Sequence, residues 1–138
     1  MKKLTLSLLS LLLILCLAAC GTPEATGIWE NATYKENTTV GSGANTVTLE
    51  VAAEETTVTL TVKTDETMLG AALLAEGIIA GEEGPYGLYV KSVNGMTADY
   101  DVDGTYWALY IDGSYALTGV DTTPIEAGTV YKLSRDKG

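Results

Sequence analysis

The chain has 138 residues, with 8 basic against 18 acidic side chains, no histidine and two cysteines, Cys16 and Cys20. A net charge of −10 disfavours nucleic acid and anionic lipid surfaces as partners. The missing histidine removes the usual zinc, copper and haem ligands together with every Cys-His and Ser-His catalytic pair, so much of enzyme chemistry is excluded by composition.

Lys2 and Lys3 form a positive start, residues 4–17 form an apolar run, and Leu17-Ala18-Ala19-Cys20 ends it with small residues and a cysteine. That order is the bacterial lipoprotein cleavage signal, which makes residues 1–19 a signal peptide and Cys20 the lipidated first residue of the mature chain. Two acyl chains on Cys20, at about 0.8 kcal/mol per buried methylene, would hold the protein on the bacterial cell membrane, facing away from the cytoplasm. Cys16 leaves with the signal peptide, so no disulfide forms within a monomer, the state expected here. Without Lys2 and Lys3, 6 basic residues face 18 acidic ones and the mature net charge is −12. Residues 20–27 are small and polar with Pro23 and read as a lipidated tether.

Residues 28–46 follow as an N-terminal arm. Ile28, Trp29 and Tyr34 are too apolar for pure linker and predict an edge strand or a docked arm, whereas residues 37–45 have the Gly, Ser, Thr and Asn content of a loop. Residues 47–51 and 58–62 alternate apolar with polar and predict a β-hairpin with one buried face. The period then changes. Thr64 or Asp65 can cap a helix whose stripe of Leu69, Ala72 and Leu73 would cover the hairpin, and Gly77 and Gly81 would end it after Ile79. Residues 81–87 read as a turn-rich loop and 88–93 as a strand. Asn94-Gly95 and Asp112-Gly113 are strong hairpin-turn signals on either side of an aromatic strand at 105–111. Residues 114–118 return, and after Pro124 and Gly128 a last strand covers 129–133. The order predicts an α+β fold, a β-grasp-like mixed sheet with one covering helix.

The stretches Glu66-Thr67-Met68-Leu69-Gly70-Ala71-Ala72-Leu73-Leu74, Gly87-Leu88-Tyr89-Val90-Lys91-Ser92-Val93-Asn94-Gly95 and Tyr106-Trp107-Ala108-Leu109-Tyr110-Ile111-Asp112-Gly113 together resemble the C-terminal β-domain of transcobalamin and intrinsic factor. Bacterial lipoproteins of unassigned function carry the same domain. The resemblance implies a transcobalamin C-terminal-like domain over 47–138. In the vitamin carriers that domain forms one wall of a cobalamin site and a larger helical domain forms the other, for which this chain has no room. Asp112 stands where family members hold an asparagine, and it suits the same turn.

Asp99, Asp101 and Asp103 ahead of Gly104 have the spacing that opens an EF-hand calcium loop. The twelfth position of such a loop is Tyr110 rather than glutamate, so a solvated acidic turn is expected and no metal or other cofactor is assigned. On the strand at 105–111, period two puts Trp107, Leu109 and Ile111 on one face, toward the helix, and Tyr106, Ala108 and Tyr110 on the other. Phenols need a wet or hydrogen-bonded end, which makes Tyr86, Tyr89, Tyr106, Tyr110 and Tyr115 candidate contacts for a flat small ligand, such as a cobalamin-like molecule, or for a surface protein. Cover by the Trp29–Tyr34 arm is the competing structural account of that face. No glycine-serine elbow or serine-lysine motif is present, so the expectation is a membrane-anchored binding module and not an enzyme. The alternative is a surface lipoprotein that docks a partner protein without a small ligand.

Overall fold

The computed structural model describes residues 27–138. The signal peptide, Cys20 and the tether before Gly27 lie outside the described residues. The chain enters through a 3-10 turn, Gly27–Asn31, followed by β1 (Thr38–Gly41), β2 (Asn45–Ala53), β3 (Thr56–Thr64) and the helix α1 (Leu69–Ala75). Next come β4 (Ile79–Gly84), β5 (Gly87–Val93), β6 (Met96–Thr97), one helical turn at Tyr100–Asp103, β7 (Thr105–Ile111), β8 (Ser114–Tyr115), a 3-10 turn at Val120–Thr122, and β9 (Val130–Lys137).

The alternating sequence of β2 and β3 sets the first layer. Val47 pairs with Val62, Leu49 with Leu60 and Val51 with Val58 in an antiparallel register, and all six are buried on one face. Glu54 and Glu55 make the two-residue turn with φ of 48° and 67°, the left-handed conformation that matches the twist of the flanking strands. β9 runs parallel to β2, which brings Tyr131 beside Leu49 and Leu133 beside Val51. The phenol of Tyr131 stays satisfied in the core by donating to the Pro124 carbonyl at 2.9 Å and accepting from the Glu126 N–H at 2.9 Å. β7 pairs antiparallel with β9, and the mixed sheet reads β1-β3-β2-β9-β7-β8.

The expected mixed sheet is present, but its cover differs from a single helix. A second, three-stranded sheet, β4-β5-β6, lies over the apolar face, and Ile79, Val93 and Met96 join the same core as Leu49 and Leu60. α1 is seven residues long. Its stripe of Leu69, Ala72 and Leu73 is buried as expected, but neither Thr64 nor Asp65 caps it. The helix starts after Met68, where the Leu69 N–H donates to the Thr123 carbonyl at 2.8 Å. It stops early because Gly77 adopts φ +67° and redirects Ile78 and Ile79 into the core.

The arm is docked rather than an edge strand, and it does not cover the tyrosine face: Trp29 is buried, and its indole N–H donates to the Ala53 carbonyl at 2.8 Å. Two further segments depart from expectation. Within the expected loop at 37–45, β1 forms as a parallel edge strand on β3, Val40 beside Val62. Within the expected loop at 81–87, β4 pairs along β5 from Ile79–Val93 to Gly84–Gly87. These strands are held by backbone ladders more than by apolar side chains, since only Ile79 of β4 is buried.

Candidate functional site

β7 carries the chemistry, because its alternation sends Trp107 and Leu109 inward and leaves Tyr106 and Tyr110 on the open face of the large sheet. The Asp112-Gly113 turn, at φ 48° and 84°, folds β8 back so that Tyr115 sits directly across from Tyr110. Their rings meet edge to face, 5.6 Å between centroids and 85° between planes. The Tyr110 hydroxyl donates to Asp136 Oδ2 at 2.7 Å, Ser134 Oγ donates to Asp136 Oδ1 at 2.6 Å, and Lys132 Nζ stands 4.7 Å over the Tyr110 ring. The hydrogen bond to Asp136, followed by burial, pushes the Tyr110 phenol up to about 12. A hydrogen bond with Tyr115 likewise raises that of Tyr106.

Beside this cluster a cleft of about 160 Å³ opens between β7 and β5. Leu88 and Val90 of β5, Tyr106, Trp107 and Leu109 of β7, and Tyr115, Ala116 and the 118–120 segment line it, with Tyr89 on the β5 lip. Asp121 closes one end by accepting from the Leu88 N–H at 3.2 Å through Oδ2. Two buried polar atoms among the described residues have no hydrogen-bond partner: the indole nitrogen of Trp107 and Oδ1 of Asp121.

Of the five tyrosines singled out in the sequence, Tyr89, Tyr106 and Tyr115 border the cleft, and Tyr110 packs edge to face on Tyr115. Tyr86 is fully exposed at the β4–β5 turn and is not part of the lining. Trp107 lines the cleft with Leu88 and Val90 of β5, the strand of the second sheet that approaches β7. Leu88, Val90 and Asp121 were missed; the strand signal over 88–93 marks the first two as sheet residues, but no pattern in residues 118–122 indicates that this segment turns back to cap the cleft.

The acidic turn has internal work for its carboxylates. Asp99 caps the helical turn by accepting from the Asp101 N–H at 3.1 Å. Asp103 accepts from the Thr105 N–H at 3.0 Å and from its hydroxyl, and pairs with Arg135 at 3.0 Å. The Thr105 hydroxyl, with the Thr105 N–H and Arg135 adding to it, holds the Asp103 carboxyl below the ordinary aspartate range. The carboxylates of Asp99 and Asp103 are turned to separate partners, and among the described residues no group of three His, Cys, Asp or Glu side chains converges. Millimolar calcium is therefore expected to leave the melting temperature where magnesium leaves it; a rise specific to calcium that Asp101→Asn abolishes would overturn this.

The two-layer, β-rich fold with few helices is similar to that of transcobalamin-like structures. The domain of unknown function DUF4430 matches residues 65–131, and the chain belongs to that family. A protein of Ruminococcus gnavus, provisionally named a metal binding protein, is 30% identical with a TM-score of 0.64, over 69% of this chain and 99% of that one. Haptocorrin, solved in complex with Cbi, aligns at 18% identity and a TM-score of 0.53, over 67% of this chain. The chain spans 25% of haptocorrin, so that likeness is one of fold. No curated protein sequence matches the chain.

Proposed function

We propose that this protein is a lipid-anchored, extracytoplasmic binding module that holds a small ligand with a flat face, cobalamin-like or otherwise, at the Tyr89–Tyr106–Tyr115 cleft, and that it performs no catalysis. The observation that carries this reading is the cleft itself: an apolar floor of Leu88, Val90, Trp107 and Leu109 bordered by tyrosine residues of three strands, with Tyr115 braced by Tyr110 and Tyr110 by Asp136. Rings fixed in this way lose little freedom on binding, which favours recognition. A likeness of fold to a protein solved with Cbi supports a ligand role for the domain. At 160 Å³ the cleft is smaller than the roughly 300–1,000 Å³ that encloses a drug-sized ligand, so a corrin would be gripped by one edge and lie mostly outside.

Thermal shift of the detergent-solubilised chain against cobinamide, cobalamin, other flat metabolites and sugars tests the reading. A ligand at a hundred times its dissociation constant adds about 2.7 kcal/mol of stability. A silent panel beside a partner protein crosslinked through Tyr89 or Tyr115 would favour the docking alternative. The anchor has its own test: Cys20→Ser is expected to abolish incorporation of labelled fatty acid and to leave an uncleaved precursor or a released protein. Incorporation at the wild-type level would remove Cys20 as the anchor.

A further inference from the structure

We infer that the outer edge of β1 is a self-association surface, on which two copies of this chain pair their β1 strands antiparallel about a two-fold axis and join their large sheets into one. The protein is then a dimer in place of the expected monomer. A comparison of the outer edges of the two sheets carries the argument. β6 and β8 are two residues long, while β4 is broken by a register shift between Ala80 and Gly81 and carries Glu82 and Glu83. Short strands, bulges and charges are the devices by which an edge avoids adding another strand. β1 has only its modest length: its register on β3 is unbroken from Thr38 to Gly41, and it contains no proline and no charge.

The direction of the β1 peptide groups follows from the neighbouring hairpin. Ala53 and Thr56 flank its two-residue turn and exchange hydrogen bonds, so by alternation Val58, Leu60 and Val62 turn their peptide groups to β2, while Thr59, Thr61 and Lys63 turn theirs to β1. The Thr59 N–H agrees, donating to Asn37 Oδ1 at 2.9 Å. Thr61 then bonds the residues on either side of Thr39, and Lys63 those on either side of Gly41. Thr39 and Gly41 are left pointing N–H and C=O outward, where no backbone group among the described residues meets them. With Thr39 of one copy opposite Gly41 of the second, both outward residues of each strand are paired, and Val40 falls on the axis against Val40 of the second copy. Val40 is half-buried beside Val62 at the margin of the core, so the contact continues the apolar layer from one copy into the next.

Charge selects a second copy as the occupant. In a chain of net charge −10, copies repel one another over most of their surface, and a two-fold contact sets a patch against itself. Such a patch must be neutral. Residues 37–49 form the longest run without a charged side chain among the described residues, and Lys35 and Glu36 just before it cancel. Two acids from other elements come near. A Cβ on Gly41 would stand 2.3 Å from the Lys63 carbonyl and 2.8 Å from Glu76 Oε1, which puts Glu76 on the β3 side of the strand, and Asp65 is held by the Ala44 N–H at 2.9 Å, beyond the strand's end. A basic partner would be drawn to Glu82 and Glu83 of β4 instead. The short ladder places this contact with the weak interfaces that bury under about 1,200 Å².

The test is disulfide trapping in intact bacteria that produce the full chain. A non-hydrogen-bonded antiparallel pair sets its Cα atoms about 4.5 Å apart, within the roughly 4.4–6.8 Å that a disulfide spans. Val40→Cys is therefore expected to give a covalent dimer on non-reducing electrophoresis after mild oxidation, and Glu83→Cys, on the protected β4 edge, to stay at the wild-type background. Thr39→Pro added to Val40→Cys removes an outward N–H and leaves the β3 ladder intact, so it should keep the melting temperature within about 4 °C and cut trapping roughly tenfold. If that proline disturbs folding, charge takes its place: Thr39→Glu and Thr39→Lys, each combined with Val40→Cys, should lose trapping alone and regain it when the two chains are produced together. No trapping by Val40→Cys, equal trapping by Glu83→Cys, or trapping indifferent to the changes at Thr39 would overturn the β1 dimer.

Discussion

Trp29→Ala is expected to destabilise the folded domain by about 3–5 kcal/mol, a large share of the roughly 5–15 kcal/mol that holds a domain of this size together. Trp29 is 5% exposed in the common core, and its indole N–H reaches the Ala53 carbonyl at 2.8 Å, so the change removes both a large apolar surface and the partner of a buried acceptor. The damage should spread through the arm. Thr33 donates to the Asn94 carbonyl at 2.9 Å, while Tyr34 and the Asn94 side chain exchange two hydrogen bonds of 2.8 Å, so the arm also fastens the β5–β6 turn. A Cβ on Gly95 would stand 2.6 Å from the Asn31 carbonyl, which shows how closely arm and turn approach. Trp29→Phe, which keeps most of the bulk but orphans Ala53, should cost about 1–3 kcal/mol. Urea denaturation of the three proteins separates these values; a Trp29→Ala cost below about 1 kcal/mol would mean that the arm merely rests on the surface.

Trp107 and Tyr110, three positions apart on one strand, should behave very differently. Trp107→Ala is expected to cost about 3–5 kcal/mol as a large-to-small core change, and Tyr110→Ala on the order of 1 kcal/mol, because Tyr110 is half-buried and its hydroxyl bond to Asp136 is open to water. Trp107→Phe sharpens the comparison. The Trp107 indole N–H is buried without a partner, so phenylalanine loses area but relieves an unsatisfied donor, and the net change should be under about 1 kcal/mol. Chemical denaturation decides the matter. Equal losses from Trp107→Ala and Tyr110→Ala would mean that the tyrosine face is a packed layer instead of an open one.

Legibility varied along the chain for physical reasons. The β2–β3 hairpin announced itself because six branched or aliphatic residues alternate with threonines and glutamate, a pattern that only a half-buried strand satisfies. Asn94-Gly95 and Asp112-Gly113 were readable because both residues of each pair must accept positive φ, and these residue types do so at low cost. The Glu54-Glu55 turn adopts the same conformation with residues that do not favour it, imposed by the strands it joins. β1 and β4 were hidden since Thr-Thr-Val-Gly and Ile-Ala-Gly-Glu-Glu-Gly have no periodic apolar face; they become strands because β3 and β5 offer them an edge. At the site, period two placed Tyr106 and Tyr110 correctly on the face away from Trp107. What covers Trp107 was not readable from β7 alone, because the approach of β5 is a tertiary choice made by residues 88–90 and 118–121.

The place of β9 in the sheet bears on how this protein reaches its fold. The last strand of the chain lies in the middle of the six, between β2 and β7, and its parallel register joins Thr48 to Val130. During synthesis the β2–β3 hairpin emerges early and gains β1 on one edge, but its other edge stays unpaired until residues 130–137 have appeared. Long-range parallel pairing closes slowly, and an open apolar edge is an invitation to pair with another chain. The vulnerable period for this protein is therefore the interval before its final strand arrives, and a nascent or truncated chain lacking residues 130–137 should aggregate or be degraded rather than persist as a smaller folded unit.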